Sequence, residues 1–263
     1  MRHSLARAQS PCGWDRDHAR GRDLLWGNVR ATRIVAAILL GLAAIHSAHS
    51  TAHARDVTVS VGGRAVVLVL DPDQCELDRN HASDSRVYDL VERGLAGHNQ
   101  LLLAAADCTQ IPPWRSGDRP TLDDFTQVQV SLQFRNQDFK GRENETAKEI
   151  CTALRQQGDA LVSGPVGAVR DRFNQISDAV KLNETKFIGV VHEDPEACYA
   201  SLVQRLRTEQ GADKLILCVY GHVVVRGRLL YFYRYTEGES FTSLLRLTEL
   251  VRKSVQTHLE ANK

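Results

Sequence analysis

The sequence predicts an α+β protein: a largely antiparallel, mixed sheet with helices packed on both faces, a three-layer α/β/α sandwich that follows a cleaved signal peptide. Three observations carry this. The stretch Asp213–Tyr235 reads as two long strands folded back at Arg226-Gly227, apolar and aromatic on both faces; such a ribbon needs cover above and below. Strand pairs fall near both ends of the fold-forming region, and a helical pattern finishes it, which suits an antiparallel sheet. The first 54 residues have the order of an export leader rather than of a fold.

Residues 1–33 hold seven arginines, three aspartates and no lysine, and residues 34–45 (IVAAILLGLAAI) are continuously apolar. Small residues ending Ala52-His53-Ala54 follow, so cleavage is expected between Ala54 and Arg55. Crossing a bilayer takes about 20 helical residues, more than this run provides, and no stable membrane anchor is expected after cleavage. The positively charged part is long for a signal peptide, and a true start near Val29, or at Leu24 or Leu25, would shorten it. A single α/β domain, 55–263, is expected to remain, with 26 basic and 29 acidic side chains. It has no basic face or lysine run, which argues against nucleic acid as a partner.

The elements follow in order. VTVSV and RAVVLVL, joined by Gly62-Gly63, make a first hairpin over 56–70, broken by Asp71-Pro72-Asp73. Val87, Leu90, Val91 and Leu95 have helical spacing between Ser83 or Ser85 as the cap and Gly97 as the stop. LLLAAADC, 101–108, reads as a buried strand, with a helix as the alternative. Residues 109–124, rich in Pro and Asp, lack any period and form a loop. FTQVQVSLQF, 125–134, alternates as a strand. Helices are expected at 143–157 and 168–182, separated by SGPVG, and FIGVV, 187–191, reads as a buried strand. Asp194-Pro195-Glu196 has the form of a helix start, with Cys198, Leu202 and Leu206 as the apolar line and Gly211 as the stop. The last helix, 241–259, carries the stripe Leu244, Leu247, Val251, Val255 and Leu259, and is expected to lie across the sheet.

Within the late ribbon, a two-residue turn pairs Val225 with Arg228, Val224 with Leu229, His222 with Tyr231, Tyr220 with Tyr233 and Cys218 with Tyr235. The eight side chains from Val224–Leu229 to Cys218–Tyr235 share one face; Val219, Gly221, Val223, Leu230, Phe232 and Arg234 take the other. Arg-Gly is a weaker turn signal than Asn-Gly, and a longer loop would shift the register.

Chemistry-bearing patterns are sparse. Cys75 and Cys108 bracket the first helical unit and are expected to form a disulfide, closing about 33 residues and stabilising the fold by roughly 3–4 kcal/mol in the chain-entropy account. Cys151, Cys198 and Cys218 fall in apolar patterns and read as small buried hydrophobes. His192-Glu193 lacks the second histidine of a zinc-protease helix, and the remaining histidines are scattered. Ser163-Gly164-Pro165 is no nucleophile elbow. No catalytic residue, cofactor or metal ligand is therefore assigned. Asn144-Glu-Thr and Asn183-Glu-Thr are glycosylation sequons.

Two places remain as candidates for contact with a ligand or partner. One is the tyrosine face, Tyr220, His222, Tyr231 and Tyr233, whose rings pair apolar surface with a polar handle; the other is Trp114 and Arg115 in the loop. A helix covering the tyrosines, the last one being the natural choice, is the competing structural reading. The expected function is a non-catalytic envelope accessory or binding module of a bacterium, periplasmic or secreted, whose partner is a protein or a small molecule. A secreted hydrolase assembled from distant loops is the alternative.

Overall fold

The computed structural model describes residues 56–177, 180–208, 211–238 and 240–263. The leader, the cleavage position at Ala54 and Arg55 and the start near Val29 lie outside them.

The described chain is α+β. A seven-stranded, wholly antiparallel sheet has the order β3-β4-β5-β9-β8-β7-β6, comprising β3 (Gln74–Glu76), β4 (Asn99–Asp107), β5 (Asp124–Ser131), β6 (Val180–Asp194), β7 (Ala197–Thr208), β8 (Asp213–Val225) and β9 (Arg228–Glu237). A separate hairpin pairs β1 (Asp56–Val61) with β2 (Arg64–Val69). The helices are α1 (Ala82–Leu95), α2 (Ile111–Ser116), α3 (Glu143–Leu161), α4 (Gly167–Ile176) and α5 (Phe241–Ala261).

The late ribbon lies inside the sheet, β9 beside β5 and β8 beside β7. Arg226 and Gly227 take φ of 49° and 74°, the double positive φ of a tight hairpin turn whose twist matches the strands it joins. Val225 faces Arg228, and His222, Tyr220 and Cys218 face Tyr231, Tyr233 and Tyr235. On one face Val219, Val223, Leu230 and Phe232 pack with Val61, Val66 and Leu68 of the first hairpin and with Leu247, Val251 and Val255 of α5. On the other, Cys218 and Tyr220 pack with Cys198, Ala200 and Leu202 of β7 and with Cys151 and Leu154 of α3. α5 thus covers the aliphatic face, and it is α3 that lies against the tyrosine face.

Residues 197–208 are strand, not helix, and Pro195-Glu196 is the two-residue turn of a β6–β7 hairpin. Cys198, Leu202 and Leu206 are spaced by four, an even number, so the pattern that aligns them on a helix also puts them on one face of a strand. Ala197, Tyr199 and Ser201 are buried as completely as Cys198 and Ala200, as an inner strand covered on both faces requires. FIGVV belongs to a 15-residue edge strand with three register irregularities, only half-buried, and bulges of this kind blunt a sheet edge. The helix expected to 182 ends at Ile176. α1 is capped by His81, whose Nδ1 accepts from Ser83 N, rather than by Ser83 or Ser85.

Cys75 and Cys108 form a disulfide, and so do Cys151 and Cys198. The second corrects the reading of both as free hydrophobes: with Cys198 on a strand, its side chain rises from the sheet to meet α3. Cys218 is a free, buried thiol whose ionisation burial makes harder. Two disulfides suggest an oxidising, extracytoplasmic location. Among the described residues no helix is long and apolar enough to cross a membrane.

Two outcomes are expected. Peptide mapping of the unreduced protein finds 75–108 and 151–198 linked, with Cys218 alkylated only after denaturant is added; alkylation of native Cys218 would contradict its burial. A Cβ on Gly158 of α3 would sit 2.0 Å from the Phe187 ring of β6, so Gly158→Ala is expected to lower unfolding free energy in urea by about 1–3 kcal/mol through overpacking.

Candidate functional site

The tyrosine face is built by alternation across three strands. β8 contributes Cys218, Tyr220 and His222; β9 contributes Tyr235, Tyr233 and Tyr231 opposite them; β5 contributes Phe125, Gln127 and Gln129 opposite those. Tyr220 and Tyr233 stack at 5.4 Å and Tyr233 and Tyr235 at 6.2 Å, while His222 meets Tyr220 and Tyr231 edge-on at 5.3 and 4.8 Å. Beside the rings Asn99 Nδ2 donates to Gln129 Oε1 at 2.9 Å, and Gln129 Nε2 donates to Gln127 Oε1. Four of the six candidate residues, Tyr220, His222, Tyr231 and Tyr233, are therefore brought into one row.

What stands above this row is an arch. α3 lies over β6, β7 and β8. α1 lies over β4, packing Tyr88 and Leu95 on Leu101, Ala104 and Ala106, which occupy the same face as Gln129, Gln127 and Phe125. After α3 the helix widens into a π-helical turn, Val162–Val166, and leads into α4, which touches both α1 and β6. Between α3 and α1, which α4 links, Tyr231, Tyr233 and Tyr235 of β9 are half-buried as a floor. π-helical turns interrupting α-helices occur frequently at functional sites.

The floor is electrically neutral. Burial pushes the His222 imidazole down to about 4, only partly offset by the Cys198 backbone alongside it. Burial likewise raises the phenols of Tyr220, Tyr231, Tyr233 and Tyr235, so all stay protonated. His222 Nδ1 is sealed from solvent and has no hydrogen-bond partner. A buried polar atom left in that state costs about 1–3 kcal/mol.

Trp114 and Arg115 do not join this row. They lie on α2, a short helix within the stretch expected to be irregular, where Pro112 and Pro113 sit in the first turn and need no N–H partner. Arg115 Nε donates to Asp84 Oδ1 at 3.0 Å, and its Nη2 reaches Oδ2. Asp84 is fully buried; burial alone would raise its carboxyl, but Arg115 and the Asp78 amide hold it lower. Arg115 thus ties α2 to α1. The floor residues that sequence reasoning missed are Gln127, Gln129 and Asn99. The alternation of 125–134 marked the glutamines as one polar face, but nothing local showed that this face is covered.

A second polar group stands at the β6–β7 turn on the α5 side. His192 Nε2 lies 2.9 Å from Asp194 Oδ1, which also accepts from Arg252 at 3.3 Å. Among the described residues no hydroxyl or thiol is hydrogen-bonded to His192, and no set of three or more His, Cys, Asp or Glu side chains is placed to hold a metal ion.

Because His222 is neutral in the fold and takes a proton near pH 6.5 when unfolded, the stability it supports is complete above that value and is lost as pH falls toward about 4. Urea unfolding at pH 7.5 and 5.0 is expected to show a smaller acid loss for His222→Phe than for the parent, by about 1–2 kcal/mol. Equal losses would mean that His222 titrates normally in the fold. No family model matches this sequence, and comparison with curated proteins found no relative.

Proposed function

We propose that this protein is an exported, non-catalytic binding module of the bacterial envelope, periplasmic or secreted, that holds a small uncharged ligand on the tyrosine floor beneath the α3–α4 arch. On this reading residues 1–54 are the signal peptide, removed between Ala54 and Arg55, and the remainder is one domain arranged as a three-layer α/β/α sandwich. Two disulfides support the export route, since such bonds persist in oxidising compartments.

The observation that carries the binding reading is the unpartnered His222 Nδ1 set among aromatic rings and amides with no charged side chain in the row. Apolar surface with a few convergent polar groups is the usual make-up of a small-molecule site. The ligand that fits has a hydroxyl or amide N–H for His222 and apolar or aromatic surface for the rings. A formal charge would face neutral groups in a partly dehydrated space, which is unfavourable. The hydrolase alternative would draw on His192 and Asp194, but a histidine–carboxylate pair needs a nucleophile beside it, and none is bonded there among the described residues.

The test is titration of the oxidised protein with phenol and with glucose, followed by NMR. At least one probe is expected to shift resonances of Tyr220, His222, Tyr231 and Tyr233 together, with affinity reduced fivefold or more in His222→Phe. If neither shifts these residues, or if His222→Phe binds as the parent does, the reading fails. N-terminal sequencing of the exported protein is expected to begin at Arg55; retention of the leader would remove the export part of the proposal.

A further inference from the structure

The first hairpin is joined to the last helix by side chains acting in place of a third strand. Asn262, just past α5, accepts from Val67 N at 2.9 Å through Oδ1 and donates to Val67 O at 2.7 Å through Nδ2. One turn earlier, His258 Nε2 accepts from Val69 N at 3.0 Å. Residues i and i+4 of a helix rise about 6 Å, close to the roughly 6.6–6.8 Å between i and i+2 of a strand, so two successive helix side chains meet two successive outward-facing positions of β2.

The His258 bond works for one protonation state. Nδ1 lies 2.6 Å from Ser254 O, which can only accept, so Nδ1 carries the proton and Nε2 is the bare acceptor that Val69 N–H requires. The groups around the ring are Val69 of β2, Ser254 of α5, Phe232 of β9 edge-on at 4.4 Å, and Asp56 of β1, the one charged side chain acting on it among the described residues. Burial outweighs Asp56 and pushes the imidazole down to about 4.

We propose that the α5–β2 seam is an acid-released latch: a proton taken up at His258 Nε2 turns the acceptor into a donor facing Val69 N–H and frees the last turns of α5 from the first hairpin. The far end of the hairpin stays fixed, because Arg228 donates to Val61 O and Gly62 O and Arg64 pairs with Asp138. Release is therefore local. A cleft of about 450 Å³ adjoins the seam, lined in part by Arg64, Leu259, Asn262 and the Arg226-Gly227 turn, and it widens when the seam parts. The latch does not depend on the tyrosine floor, so either idea can fail without the other.

The test is amide hydrogen exchange on the oxidised full-length protein from pH 7 to 4.5, expressed as protection factors so that the intrinsic pH dependence is removed. Protection of Val67 and Val69 is expected to fall by up to about tenfold per pH unit below pH 6.5, while Val219 and Val223 in the sheet hold theirs. In His258→Gln, whose side-chain carbonyl can accept from Val69 without titrating, that pH dependence is expected to vanish. Uniform loss across all four amides, or a persisting dependence in His258→Gln, overturns the proposal. NMR titration of His258 in the unmodified protein decides independently of whether the variant folds: an ordinary titration near 6.5 with the seam still protected also overturns it.

Discussion

A tight turn in which both residues hold positive φ sets the arrangement of everything around it. Arg226 at 49° and Gly227 at 74° leave β8 and β9 one register, and that register assigns every side chain of the central ribbon to one of two faces. A slip of one residue would exchange the faces. Glycine suits position 227 because its φ of 74° strains any other residue, and a Cβ there would also displace the Arg64–Asp138 pair, 2.4 Å away. Arg226 carries a side chain in a conformation that costs non-glycine residues of order 1 kcal/mol. The turn is nevertheless held, because Arg64 donates to the Arg226 carbonyl at 2.9 Å and Phe139 N donates to the Gly227 carbonyl at 3.0 Å.

The two faces then do different physical work. The aliphatic one meets the first hairpin and α5 in a hydrocarbon core, interrupted at its margin by Arg234. That guanidinium is nearly inaccessible and pairs with Asp71, Asp73 and Asp124, so it joins the end of the first hairpin's second strand to β5. Breaking such a group by removing one partner typically costs 3–5 kcal/mol. Arg228 solves a different problem at the hairpin base, giving its donors to four backbone carbonyls of the 61–62 and 136–137 turns. On the tyrosine face the ion pairs Arg155–Glu193 and Lys214–Glu237 stand at the two ends; the polar atoms among the rings are hydroxyls, amides, one thiol and one imidazole, which underlies the proposal of an uncharged ligand.

What the sequence made legible was the part governed by local rules. The ribbon's pairings from Val225–Arg228 to Cys218–Tyr235 follow from one turn and a period of two, and the α5 stripe Leu244–Leu259 follows from a period near 3.6. The segment after Pro195 failed for a definite reason: a spacing of four belongs to both periods, and an acid–proline–acid start is also a hairpin turn. That one misreading hid the Cys151–Cys198 disulfide, since two cysteines placed on separate helices gave no cause to meet. The arch was invisible for a different reason. It depends on where α1 and α4 dock, and docking is set by contacts between residues some 80 positions apart, such as Arg172 donating to the Ala96 carbonyl.

The two sides of that arch are anchored by bonds of unlike kind. α3 is held by the covalent Cys151–Cys198 bridge and by the Phe187 ring packed against Gly158; neither can be exchanged for water. α4 packs Val169 and Phe173 toward α1 and is otherwise held by hydrogen bonds: Arg172 to Ala96, Asn174 to the backbone of Leu182 in both directions at 2.7 Å, and Lys181 to the carbonyls of Asn174 and Ser177. Water can replace each of these at a net cost of only about 1 kcal/mol per bond. On the proposed binding reading, the segment that opens is α4 with the π-helical turn, and α3 is the fixed wall. His222 lies directly across the ladder from Cys198, so the one unsatisfied polar atom of the floor stands against the wall that does not move. The proposed site rests on that division: a rigid group to fix a ligand's orientation and a loosely held one to let it in.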